Sequence, residues 1–270
     1  MNKTMRRAGA LMVAGVLTVG LGACGDDEDE ADDPGTAVDE ESAAADGADF
    51  CDAAVAVDVA DAGLDNGEGT PADVEAAIAA AADAAPDEIA AAVETMAAET
   101  AAAAEAAAAA PEGEGPPPMP GEAFYPASVE VGTYLSENCG FETLDVTATE
   151  YAFDGIPESV SAGTTVINFD NEGTEFHEVA VMKVADGEER PVEELLALPE
   201  EEAMAVVTNT AVVFGPPDAG TYVTTDLEPG RYVAICFVPV GATPEAMETG
   251  AGMDGEPHFL HGMVTEFEVA

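Results

Sequence analysis

Four side chains in the C-terminal half can do chemistry together: His177, Cys236, His258 and Met263. Cys236 lies on an apolar run, and Met263 falls five positions after His258. Two imidazoles, a thiol and a thioether make a soft, mixed nitrogen and sulfur donor set for a metal ion. Each residue alone also has an ordinary reading. A single Cys on a strand is usually a small core residue, and a Met there usually packs. The chain has three histidines in all. The third, His261, competes with His258 but directly precedes Gly262.

Strands must position these side chains. From Leu144 onward alanine runs stop, and β-branched residues alternate with polar ones. The pattern predicts strands at Leu144–Phe153, Thr164–Asp170, His177–Val184, Ala211–Phe214, Gly220–Asp226, Gly230–Val238 and Met263–Val269. Turn signals separate them, among them Asn171-Glu172-Gly173 and Glu228-Pro229-Gly230. Short strands at this density indicate a β-sandwich over 144–270. A helical insertion, Pro191 to Ala205, interrupts it.

Three parts of this region resemble the cupredoxins, the blue-copper β-sandwiches. Asn171-Glu-Gly-Thr-Glu-Phe-His177 is similar to the family's segment in which a histidine begins a strand. Pro229-Gly230-Arg-Tyr232-Val-Ala-Ile-Cys236 is similar to the strand whose end supplies a cysteine. Pro257-His258-Phe-Leu-His261-Gly262-Met263 is similar to the closing loop before the last strand. The resemblance implies one mononuclear copper, with His177, Cys236 and His258 as equatorial ligands and Met263 as the weak axial one. Phe176, Phe237 and Phe259 would form an apolar shell that excludes water. The sequence departs from the small blue-copper proteins in two places. The insert Pro239 to Pro257 lengthens the last loop and reads as a flap folding out, with Met247 and Met253 as further soft groups. Glu178 puts a carboxylate beside His177, where it could alter the surroundings of the site or add an oxygen ligand.

The N-terminus reads as a targeting signal over 1–24. Lys3, Arg6 and Arg7 precede an apolar stretch from Ala8 to Leu21, which is short for a membrane span. Leu21-Gly22-Ala23-Cys24 resembles the lipobox of bacterial lipoproteins, which implies acylation of Cys24 and a membrane anchor outside the cytoplasm. Residues 25–49, acidic and almost without large apolar side chains, are expected to be a disordered tether.

Residues 50–140 read as an Ala-rich helical region, so the fold class is a two-part α+β chain. Helices are expected at Phe50 to Gly63, from Thr70-Pro71 with Thr70 as N-cap, from Pro86 onward, and at Pro126 to Asn138. The stretch Pro111 to Gly121 reads as a stiff linker. Alanine buries little area, so a covalent tie would help. Of four cysteines, Cys24 is assigned to the lipid. Cys51 and Cys139 bracket the helices, and an oxidising compartment permits their disulfide. Cys236 is then the odd thiol. The helical region, lacking histidine, reads as a spacer or docking module.

The chain carries 56 acidic residues against 6 Lys and Arg, a net charge of −50 over 270 residues. Such a chain repels nucleic acid and anionic headgroups. A carboxylate-covered surface also suits high salt, which screens self-repulsion. Paired-histidine copper clusters, a serine–histidine–acid arrangement and a phosphate-cradling loop are not found, so an enzyme is not expected. The readings that remain are single-electron transfer with a protein partner, a metal-free cupredoxin-like module, and copper delivery or sequestration.

Overall fold

A computed structural model describes residues 40–65, 67–109, 118–249 and 254–270. The predicted targeting signal with Cys24, the tether as far as residue 39, most of the Pro-rich linker and Met253 lie outside the described residues.

Four helices come first: α1 (Glu40–Asp65), α2 (Pro71–Ala84), α3 (Ala90–Ala109) and α4 (Phe124–Asn138). Nine strands follow: β1 (Glu142–Thr149), β2 (Ala152–Asp154), β3 (Ser159–Val160), β4 (Gly163–Asn171), β5 (His177–Val184), β6 (Val207–Gly215), β7 (Ala219–Leu227), β8 (Gly230–Ile235) and β9 (Val264–Val269). Short helices α5 (Val192–Leu196) and α6 (Glu200–Ala203) separate β5 from β6, and α7 (Pro244–Thr249) lies between β8 and β9.

The strands form two sheets, ordered β2-β1-β4-β7 and β3-β9-β8-β5-β6. Their inner faces meet in one core. Leu144, Val146, Ile167 and Phe169 of the first sheet pack with Val179, Val181, Tyr232, Ala234 and Phe267 of the second. Both outer faces are covered as well. Val166 and Tyr222 carry the first sheet into a helical core with Phe50, Ile89, Val93, Val131 and Leu135. On the other side, Leu195 of α5 packs with Val184, Val233 and Ile235. Consecutive buried residues on β4 and β8 follow from this, since a strand covered on both faces does not alternate.

The helical region is therefore a layer on the sandwich, and its packing accounts for its presence. Gly132 of α4 lies so close to the sheet that a Cβ there would sit 2.9 Å from Tyr222 Cβ. Thr224 of β7 donates to Asp58 Oδ2 of α1 through its amide (2.8 Å) and its hydroxyl (2.6 Å). At the start of α2, the amide and hydroxyl of Thr70 both donate to the Asp73 carboxylate, at 2.8 and 2.6 Å. That is the cap expected from Thr70-Pro71. Cys51 and Cys139 form the expected disulfide, Cα–Cα 5.6 Å, tying α1 to the end of α4.

Several boundaries differ from expectation, β6 starting at Val207 and β8 ending at Ile235 among them, and β3 is not among the expected strands; two differences are larger. α1 begins at Glu40, inside the segment expected to be a disordered tether. The alanine run 43–45 favours helix, and the packing of α1 on α4, with Phe50 and Tyr134 edge to face at 5.7 Å, stabilises the element. The single strand expected over Leu144–Phe153 breaks at Glu150-Tyr151 into β1 and β2, which pair antiparallel.

Two outcomes test this layer. Opening the Cys51–Cys139 bridge by Cys51→Ala with Cys139→Ala should lower the unfolding free energy by about 4 kcal/mol, read by denaturant unfolding, because it frees a long loop in the unfolded chain. Burial pushes the Asp58 carboxyl up to about 6, against the pull of the Thr224 hydroxyl and amide. The folded protein thus holds this proton more tightly than the unfolded chain, whose reference value is 3.8. The associated stability is full below that lower value and is lost as pH rises through about 6. Asp58→Asn should flatten the stability profile across this window relative to wild type.

Candidate metal centre

His177, Cys236 and His258 meet at one end of the sandwich. His177 is the first residue of β5, Cys236 follows β8, and His258 opens a 3-10 turn, His258–His261, ahead of β9. All three side chains are shut off from solvent. His177 Nδ1 lies 3.0 Å from His258 Nδ1, and Cys236 Sγ lies 3.4 Å from the same His258 nitrogen. The three donor atoms fall within 4.8 Å of one another. Donors held about 2 Å from a shared cation lie at most roughly 4 Å apart, and the 3.0 and 3.4 Å separations fall inside that limit.

The local fold places each donor. Asn171, fully buried, donates through Nδ2 to the carbonyls of Glu175 (2.9 Å) and Gly215 (3.0 Å). Its Oδ1 accepts from the amide of Gly173 at 2.9 Å, which fixes the loop into His177. Cys236 and the last turn are laced together: Phe259 N donates to Cys236 O (3.0 Å), and Cys236 N to Met263 O (3.2 Å). Met263 is fully buried in the same core as Cys236.

The hydrogen-bond pattern itself fits a cation. His258 Nε2 is 3.0 Å from Glu175 Oε2 and donates its proton there, so His258 Nδ1 carries the lone pair. With no cation between them, His177 Nδ1–H must supply the proton shared by the two Nδ1 atoms. His177 Nε2 is then left without a hydrogen-bond partner, which is what the structure has. With His177 and His258 holding a cation through Nδ1, the His177 proton would sit on Nε2 instead, 3.7 Å from Glu150 Oε1. Each metal-facing imidazole would then point its N–H at a carboxylate.

Electrostatics agree. Burial, then the neighbouring His258, pushes the His177 imidazole down to about 4, against the opposing pull of Glu150 and Glu175, so the ring is neutral at pH 7. Burial also lowers His258, with Glu175 acting in opposition. The Cys236 thiol is pushed up to about 12 by burial, in spite of the amides of Glu178 and Val238. It keeps its proton until a cation displaces it. Burial raises Glu150, but the amide and hydroxyl of Thr174 and the amide of Glu175 outweigh it and hold the carboxyl at about 2.

His258, the histidine preferred from its spacing to Met263, is the one in the cluster, and His261 is exposed, 3.6 Å from Glu256. Several other features differ from expectation. Glu178 is not an oxygen donor to the cluster: its Oε1 accepts from Phe237 N at 2.9 Å, and its amide points at Cys236 Sγ, 3.5 Å away. Of the three phenylalanines expected to form a shell, Phe176 is buried, stacked on Phe214 at 5.2 Å. Phe237 is 44% exposed, and Phe259 packs on the outer face of the second sheet. In its described residues the insert does not fold out as a flap. Pro239 and Pro257 bridge its two ends, Phe176 N donates to Ala242 O at 2.8 Å, and Met247 packs against the core. Glu150, Glu175 and Tyr151, the last with its ring 4.7 Å from His258, carried no signal in the sequence.

The C-terminal half is thus a two-sheet sandwich in which His177, Cys236 and His258 converge. No family model matches the sequence, and no curated protein does. Solved structures do. Auracyanin from Roseiflexus castenholzii matches with 21% identity over 47% of this chain and 96% of that one, TM-score 0.30. Auracyanin A, a "blue" copper protein from Chloroflexus aurantiacus, matches with 21% identity over 48% of this chain and 100% of its own, TM-score 0.28. Rusticyanin from Thiobacillus ferrooxidans matches with 17% identity over 48% and 78%, TM-score 0.28. At these scores the functional reading rests on the site's own geometry.

Gly173 tests that geometry. A Cβ there would lie 2.7 Å from His177 Nε2 and 2.8 Å from Glu150 Oε1. Gly173→Ala should displace the ring and weaken binding of a thiophilic cation such as Co(II) by about tenfold or more, read by thiolate charge-transfer absorption, while far-UV dichroism stays that of wild type.

Proposed function

We propose that this protein binds one mononuclear copper ion through His177, Cys236 and His258, with the Met263 thioether as a further ligand, and passes single electrons to and from a protein partner. The observation that carries the reading is the convergence of two Nδ1 atoms and a thiol at a point closed to solvent. A bound copper ion supplies a one-electron redox centre, and this donor set suits both of its oxidation states. The protein does the rest. Asn171 and the closing turn hold the donors in place, the buried core excludes water, and the carboxylates of Glu175 and Glu150 face the two outward imidazole edges.

Full burial of all three donors also separates this reading from its rivals. A substrate has no path to them, which favours an electron carrier over a catalyst. A cargo site would be expected to offer a ligand to an incoming partner, and here none is exposed, which favours a resident ion over delivery or sequestration. A metal-free module would leave His177 Nε2 buried and unpartnered without return.

The reading extends to location. The Lys3, Arg6 and Arg7 cluster, the apolar stretch after it and the lipobox-like Leu21–Cys24 support acylation of Cys24 and a lipid anchor on the outer face of the cell membrane. The Cys51–Cys139 bridge suits such an oxidising compartment. No described helix is long and apolar enough to cross a membrane. A partner would carry positive charge where it docks, given a net charge of −50 on this chain.

The experiment is direct. Copper(II) added to the purified protein should give an intense visible thiolate-to-copper absorption, and Cys236→Ser should abolish it. A colourless wild-type preparation with no copper affinity beyond that of a His177→Ala, His258→Ala variant would defeat the proposal.

A further inference from the structure

We infer that Glu175 is a positioning residue that sets the redox balance of the site, gripping the outer edge of His258 so as to favour the more highly charged state of the ion. The inference rests on the copper reading above.

Glu175 is not a loose surface acid. Its Oε2 lies 3.0 Å from His258 Nε2 and also accepts from the amide of Gly241 at 2.7 Å. Its backbone is held at both ends: its carbonyl accepts from Asn171 Nδ2 at 2.9 Å, and its amide donates to Glu150 Oε1 at 3.2 Å. The side chain is 14% exposed, and the histidine it meets is fully closed to solvent. Gly241 comes from the long insert, so the insert and the loop before His177 together fix one carboxylate on one imidazole.

Two physical effects act in the same direction. A carboxylate accepting from Nε2–H makes Nδ1 a stronger donor, which stabilises the oxidised ion more than the reduced one. The fixed negative charge, acting through a dry interior, does the same by Coulomb attraction. Glu150 adds only a through-space contribution, since it stands 3.7 Å from His177 Nε2. Among the described carboxylates Glu175 is thus the one within hydrogen-bond distance of a donor ring, alongside the Glu178 amide that points at Cys236 Sγ.

The test uses the full chain with Glu175→Gln, which keeps an acceptor and removes the charge, and Glu172→Gln, an exposed acid on the same loop, as control. Copper(II) and copper(I) affinities and the reduction potential are measured on each, with nitrogen NMR of the histidines in the metal-free proteins. Glu175→Gln should retain the visible absorption and shift the potential upward. The expected loss in the ratio of copper(II) to copper(I) affinity is at least about tenfold, equivalent to about 59 mV for one electron. Glu172→Gln should leave both unchanged. In metal-free wild type, His258 should carry its proton on Nε2. An unshifted potential in Glu175→Gln, or a shift of the same size in Glu172→Gln, overturns the inference, as does a His258 proton found on Nδ1. If Glu175→Gln takes up no copper, the NMR result alone decides. If wild type takes up none, the copper reading falls, and the protonation of His258 still shows whether the grip exists.

Discussion

Three polar side chains sealed from water have to satisfy one another, and the arrangement of the sandwich end follows from that. A buried donor or acceptor without a partner costs on the order of 1–3 kcal/mol. Here the two Nδ1 atoms and the thiol share what hydrogen bonding they can, and one imidazole nitrogen stays orphaned. An apolar trio of similar size would be easier to bury. The arrangement makes physical sense with a cation in place: His177, His258 and the Cys236 thiolate would then hold it, and only the His177 proton would have to change nitrogen, since that of His258 already faces Glu175.

Holding such a cluster needs a stiff surround, and the chain achieves this by covering the sandwich on both sides. The helical layer buries Val166 and Tyr222 on one outer face, and α5 buries Val233 and Ile235 on the other. A sheet with one wet face could breathe at β4, which leads through the Asn171 loop to His177, and at β8, which ends one residue before Cys236. Alanine makes the helices thin, so they sit close: Gly132 lies directly over Tyr222, and the Cys51–Cys139 bridge holds α1 to α4 where side-chain area is scarce. Among the described residues the layer adds no donor to the cluster; what it supplies there is packing.

Much of this was legible in the residues. Histidines and unassigned cysteines are so few that His177, Cys236 and His258 had little competition, and the turn signals delimited most strands to within a few positions. The disulfide followed from which cysteines were left over. What the sequence could not show depends on distance in space. Glu150 and Glu175 are two among 56 acidic residues, so no pattern sets them apart until the strand break at Glu150-Tyr151 brings one to His177 and the Asn171 loop brings the other to His258. The helical layer did leave a trace, read too narrowly: Val166-Ile167 and Val233-Ala234-Ile235 are runs without alternation, the mark of a strand buried on both faces.

The long insert between Cys236 and His258 shows why chain length is a poor guide to the precision of a site. Closing a longer loop costs only a fraction of a kcal/mol for each doubling, and the cost matters little when the ends are already joined. Pro239 and Pro257 bridge, Val240 N donates to Glu256 O at 2.9 Å, and His258 N donates to Val238 O at 2.8 Å. Seen from the donors, Cys236 and His258 therefore sit on a short, closed neck whatever lies beyond it. The chain beyond the neck then turns back, bringing the Gly241 amide to Glu175 and the Ala242 carbonyl to Phe176. An insertion that would loosen an open loop here becomes a second wall of the site, because its first residues pack where a flap would have left an imidazole edge to water.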